Sequence, residues 1–263
     1  MILPNVITEI SKKEGIGWAI VEKDYFLTLL LEAVSHEPVL EKNLVFKGGT
    51  ALRKAYFPIY RYSEDLDFTL RQKLSGEEIR AALESALTYL KQEHNAEFRI
   101  RDFNSKPHFT DIKTQFVGLK GNKNSISMDL SGNEPILDKT TARVIDNPYC
   151  EKEFSVQVYS LEEILAEKLR SLLQRTRVRD YYDVWFLLSS ENNFDAAKLR
   201  NIFLQKVAYK KLSFSGKGQF LDQEKLRQAE AYYESQLKNQ LNKLPPFSKI
   251  KQELEERIAG LTL

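Results

Sequence analysis

A chain of 263 residues, 42% hydrophobic and 29% charged, has the makeup of a globular protein large enough to bury its own core. That balance excludes a disordered chain, and the longest apolar stretch, Tyr25 to Val34, is broken by Thr28 and Glu32 and falls short of the ~20 residues a bilayer helix needs. Met1 to Lys13 carries no recognisable leader signal, so a cytoplasmic protein without a membrane partner is expected. Lone Cys150 and the scattered His36, His94 and His108 exclude a disulfide framework and a zinc-ligand set. Chemistry therefore falls to carboxylates, lysines, hydroxyls or a metal that they hold.

Val21 to Ser35 has apolar residues at helical spacing and predicts an opening amphipathic helix. Leu44 to Lys47 reads as a short strand ended by Gly48 and Gly49, and Thr50 as the cap of a helix running to Tyr56. Asp65 to Leu70 alternates as a half-buried strand, with Asp65, Asp67 and Thr69 on one face and Leu66, Phe68 and Leu70 on the other. Ser-Gly-Glu-Glu from Ser75 is a capping box for a helix reaching about Glu93. Strands follow at Phe98 to Phe103, Thr110 to Leu119, Ser125 to Leu130 and Phe154 to Tyr159, and beyond these the pattern is helical. This predicts an α+β protein: a mixed-sheet part over residues 1–159 and a helical part over 160–263. Within the second, 211–220 reads as a mobile basic loop and Ser248 to Ile258 as the last helix.

Two aspartates two residues apart on a strand, Asp65 and Asp67, project from one face and can share a divalent cation through oxygen ligands. Asp129 on a neighbouring strand is the natural third carboxylate of a two-Mg²⁺ site, the arrangement that serves in-line phosphoryl displacement. Gly48 and Gly49 let the backbone approach a triphosphate, and a helix start after them offers unpaired N–H groups. The spacing is not that of a P-loop. Singly, an Asp-x-Asp strand is usually a solvated face and a Gly-Gly a plain turn; their order here, between apolar elements, favours a site. Lys168 lies at the edge of an apolar helical stripe formed by Leu161, Ile164, Leu165, Leu169 and Leu172, and either reaches solvent or points into a functional cleft. Asp180 and Asp183 read either as capping carboxylates or as partners that orient Lys168.

The net charge of +2 hides a segregation, because residues 198–251 hold twelve Lys or Arg against four Asp or Glu. Phe203, Tyr209, Phe214, Phe220, Tyr232 and Tyr233 are interleaved with them. Such a pattern suits either a nucleic-acid surface or a solvated helical face over an aromatic core.

Several separated motifs together resemble the AbiEii/AbiGii-type nucleotidyltransferase toxins, the toxin half of type IV toxin–antitoxin pairs linked to abortive phage infection. They are Val21-Glu22-Lys23-Asp24-Tyr25, Phe46-Lys47-Gly48-Gly49-Thr50-Ala51-Leu52, Arg61-Tyr62-Ser63-Glu64-Asp65-Leu66-Asp67-Phe68, Met128-Asp129-Leu130, Glu167-Lys168-Leu169 and Arg179-Asp180-Tyr181-Tyr182-Asp183. The resemblance implies a polymerase-β-like nucleotidyltransferase fold with Asp65 and Asp67 as the metal pair. It further implies that Lys168 contacts nucleotide phosphates, that Asp180 or Asp183 is the late catalytic aspartate, and that Gly49 and Thr50 bind nucleotide. Gly-Gly-Thr stands where many nucleotidyltransferases have Gly-Ser, and its gap to Asp65 is longer than in the compact motif. The implied activity is Mg²⁺-dependent transfer of NMP from an NTP to RNA, a tRNA 3′ end foremost, which blocks translation; an antitoxin encoded nearby is implied as well. Transfer to a protein hydroxyl, and NTP binding without turnover in a regulatory protein, are the alternatives.

Overall fold

The structure is a computed structural model and describes residues 1–189 and 192–263. The chain forms two compact units, Met1–Ile136 with Thr140–Tyr159, and Leu137–Lys139 with Ser160–Leu263.

In the first unit, helices α1 (Pro4–Glu14), α2 (Trp18–His36) and α3 (Pro38–Asn43) precede strand β1 (Leu44–Lys47). A short helix α4 (Gly48–Ala51) continues into a wider turn, Leu52–Tyr56, before β2 (Asp65–Leu70) and the long α5 (Gly76–His94). Strands β3 (Phe98–Lys106), β4 (Phe109–Val117), β5 (Lys123–Ser131), β6 (Thr141–Val144) and β7 (Ser155–Val158) complete a mixed sheet of order β3-β4-β5-β2-β1-β7-β6. Strand β2 runs antiparallel to β1 and parallel to β5, so it sits inside the sheet with both edges paired.

The helix expected to open the chain is the second one, because α1 precedes it with Ile7 as its single buried residue and so leaves little periodic signal. Helix α2 is buried over nearly all its length, and its Phe26 stacks on Phe116 of β4 at 4.2 Å between ring centroids. Two of its buried carboxylates accept hydrogen bonds from elsewhere in the unit. Glu22 accepts from Leu119 N at 2.7 Å, and Asp24 accepts from Lys54 Nζ and from the Tyr149 hydroxyl, each at 2.6 Å. The expected Thr50 cap is corrected as well. The helix starts at Gly48, with Lys47 in the cap position, so Thr50 lies within its first turn and its hydroxyl donates to Asp65 O at 2.5 Å.

The second unit contains α6 (Leu161–Gln174), α7 (Val178–Ser189), α8 (Ala196–Tyr209), α9 (Gln223–Leu237) and α10 (Phe247–Gly260). Within 211–220, read from sequence as a loop, Phe214 and Phe220 pack with Phe203 in an aromatic cluster, and a single helical turn begins at Lys217. Several basic residues of this region are structural. Lys206 is fully buried between Glu163 at 2.8 Å and Glu167 at 3.0 Å, and Lys225 caps the end of α6 by donating to Leu172 O and Leu173 O. No described helix is long and apolar enough to cross a membrane.

Glu32 gives the first unit a pH signature. Burial alone would raise its carboxyl, but contacts from His94, Lys152 and Tyr89 outweigh burial and hold it at about 2 against an ordinary 4.5. A carboxyl that titrates lower when folded adds stability that is complete above its ordinary pKa and vanishes as pH falls towards the folded value. Urea unfolding of Glu32→Gln is therefore expected to show a deficit near neutral pH that shrinks between about pH 4.5 and about pH 2. A deficit constant across that range would contradict the assignment.

Candidate active site

Alternation along β2 sends Leu66 and Phe68 into the core and leaves Asp65 and Asp67 half-buried on the opposite face. Pairing then places neighbours beside them. Asp67 lies in register with Asp129 of β5 on one side and with Lys47 of β1 on the other. Asp129 in turn lies opposite Asp111 of β4, so four charged residues form one row across four strands. The next row sets Asp65 beside Ser127 and Ser127 beside Lys113. Lys47 is buried and paired with Glu134 at 2.7 Å, which fixes the cation at the end of the row.

The glycine turn closes on this face. Gly48 has φ +80°, a conformation that side chains rarely adopt, and a Cβ built there would fall 2.3 Å from Asp67 Oδ2. At Gly49 a Cβ would fall 2.6 Å from Arg61 Nη2 and 3.3 Å from Ser63 Oγ. Gly48 is thus reserved for glycine by its backbone conformation as well as by the Asp67 carboxylate, while an added side chain at Gly49 would displace the far end of Arg61. Buried Thr50 ties the turn to the first residue of β2 through its bond to Asp65 O.

Lys168, Asp180 and Asp183 come together in the second unit. Lys168 Nζ lies 3.1 Å from Asp180 Oδ1 and 2.7 Å from Asp183 Oδ2, and Arg175 Nε donates to Asp180 Oδ2 at 2.9 Å. Both aspartates are buried in the first two turns of α7 and neither is an N-cap; each faces the lysine of α6. Burial pushes the Asp180 carboxyl up, but Lys168 and Arg175 prevail and hold it below the usual aspartate range. The ammonium is thereby held between two carboxylates one helical turn apart.

Among the described residues no group of three or more His, Cys, Asp or Glu side chains is placed to hold a metal ion, and Asp65, Asp67 and Asp129 form no such group. In the sequence Lys47 and Arg61 stand within quoted motifs but receive no role of their own, and Asp111 is not singled out. The polar alternation of Asp111, Lys113 and Gln115 was a signal for this aspartate, but its pairing with Asp129 is a long-range fact.

The first unit thus carries paired carboxylates beside a glycine turn on a mixed sheet, and helices follow it in the chain. The fold is similar to that of MenT4, a nucleotidyltransferase toxin from Mycobacterium tuberculosis H37Rv, with a TM-score of 0.65 and 16% identity over 100% of this chain and 91% of that one. Residues 29–256 match the family described as nucleotidyl transferase AbiEii toxin, type IV TA system, and the chain belongs to that family. No curated protein matches the sequence. Members of the family are nucleotidyltransferase toxins, which generally use an NTP and a divalent metal, and a toxin–antitoxin system implies an antitoxin partner.

Gly48→Ala is expected to push Asp67 from its place and to cost stability by about 1–3 kcal/mol through backbone strain. Nucleotidyl transfer in that variant should fall by far more than the loss of folded protein seen in urea unfolding. Full activity would show that the Gly48 contact with Asp67 is incidental.

Proposed function

We propose that this toxin transfers a nucleoside monophosphate from an NTP to an RNA acceptor, a tRNA 3′ end foremost, in the cytoplasm, and so arrests translation. The observation that carries the reading is the register of Asp67 with Asp129, with Asp65 on the same face and Gly48 against the Asp67 carboxylate. The donor set suits a hard cation, because carboxylate oxygens and substrate phosphates are what Mg²⁺ prefers and it seldom takes an all-protein cage. Asp65 and Asp67 would hold the metal, with Asp129 as third ligand of a two-ion site. Bound there, Mg²⁺ would supply charge stabilisation to the attacking and leaving oxygens.

The chain's own groups do the rest. Gly48, Gly49 and Thr50 shape a turn that triphosphate can approach closely. Lys168, whose ammonium is held by Asp180 and Asp183, is the lysine that the resemblance assigns to nucleotide phosphates. Asp129 also has the chemistry to accept the proton of the attacking hydroxyl. Exposed Arg200, Lys210, Lys211, Arg227, Lys238, Lys243 and Lys249 support an RNA acceptor, as do exposed Tyr209 and Tyr232. The support is narrower than the sequence pattern suggested, because Phe203, Phe220 and Tyr233 are core residues.

The test is incubation with labelled NTPs, Mg²⁺ and total RNA. Label is expected on RNA with wild type and should drop by at least about a hundredfold with Asp67→Ala or Asp65→Ala, the scale expected when metal-held charge stabilisation is lost. Label that persists in Asp67→Ala would remove these aspartates from the chemistry. Label confined to a protease-sensitive band would shift the acceptor to a protein hydroxyl.

Lys168→Ala is expected to raise KM for the NTP about tenfold or more, as loss of one charge-assisted contact does. An unchanged KM would assign the lysine to folding alone. Lys168→Arg, which keeps the charge, is expected to recover part of the loss.

A further inference from the structure

Arg61 is a buried cation beside the glycine turn, with 2% of its surface exposed. Its Nη1 donates to Tyr62 O at 3.2 Å, and its guanidinium lies 5.5 Å from the centre of the Tyr60 ring. A Cβ at Gly49 would meet Nη2 at 2.6 Å and Cζ at 3.4 Å, so the end of the guanidinium lies close against the bare Gly49 backbone. Gly48 faces the Asp67 carboxylate in the same way, since a Cβ built there would fall 2.3 Å from Oδ2. Consecutive glycines are therefore backed by charges of opposite sign. One is the carboxylate assigned to the metal, and the other has no assigned role. A guanidinium keeps its charge at any ordinary pH, and this one is itself shielded from water, so its charge is screened less than one on the surface.

Resting on the reading of this face as an NTP site, we infer that Arg61 is a positioning residue for the nucleotide. It fixes the Gly48–Gly49 turn against Asp67 and adds, through the glycine backbone, positive potential where the triphosphate lies. Two features set this role apart from ordinary packing. Its effect falls on nucleotide affinity more than on turnover, and it depends on charge as well as shape.

Equilibrium binding of ATP, CTP, GTP and UTP with Mg²⁺, together with KM and kcat for the NTP that binds, tests it in the full-length chain. Arg61→Gln is expected to weaken binding about tenfold and to flatten its dependence on salt. KM should rise by a similar factor while kcat changes little. Arg61→Lys keeps the charge and should keep the salt dependence, with a smaller loss of affinity. Gly49→Ala retains Arg61 but crowds its guanidinium, and should lose affinity as well. Wild-type affinity in Arg61→Gln or in Gly49→Ala would overturn the inference while leaving the NTP site in place. Should the Gln variant melt before it can be measured, a flattened salt dependence of binding in Arg61→Lys, which keeps the charge, would overturn it equally. Failure of the wild-type protein to bind any of the four nucleotides would overturn the NTP reading and this inference together.

Discussion

The register between β2 and its two neighbours is the constraint on which the site depends. A strand has a side-chain period of two, so slipping β2 by one residue would carry Asp65 and Asp67 into the core and Leu66 and Phe68 out of it. The burial of those two apolar residues is worth roughly 4–6 kcal/mol at ~2–3 kcal/mol each, which makes the slip prohibitive. Hydrophobic packing on one face thus specifies which carboxylates meet on the other. Because β2 is paired on both sides, Lys47 and Asp129 are both fixed relative to Asp67 by backbone hydrogen bonds and not by flexible side chains.

Charge is handled differently in the two groups of candidate residues. Asp65, Asp67 and Asp129 are half-buried on the polar sheet face. Asp180 and Asp183 are fully buried and would be costly as isolated ions. Lys168 and Arg175 offset that cost, and the same pairs hold the lysine in one geometry. Elsewhere, Asp24 with Lys54 and Arg53, and Glu163 with Lys206, follow the rule that a buried ion keeps a partner. Removing one member of such a pair leaves the other stranded, so these positions tolerate change poorly even where they take no part in chemistry.

Much of the fold was legible because local signals were strong. The Asp65–Leu70 alternation, the Ser75 capping box and the apolar stripe of α6 each stand in the structure where the pattern placed them. Strand β6 was not legible. Its four residues are all exposed, it pairs only with β7, and an edge strand without a buried face leaves no period to read. Asp111 and Arg61 were hidden for another reason, since their proximity to Asp129 and Gly49 comes from strand pairing and loop closure over long spans of sequence. In the basic C-terminal region, sequence could not separate core aromatics from exposed ones. Phe203, Phe214 and Phe220 are spaced so irregularly that only their mutual packing reveals a core.

The segment Leu137–Lys139 belongs to the second unit although its neighbours in sequence belong to the first. Glu163 accepts from Leu137 N and Asp138 N, each at 3.0 Å, and Lys198 bridges Asp138 and Glu162. The helical unit is therefore threaded by three residues that arrive before it begins. A fragment starting at Ser160 would leave Glu163 without two of its donors, and one ending at Tyr159 would carry three residues cut off from their partners. A cut in the chain that is to keep the helical unit whole must therefore carry this tripeptide along with it.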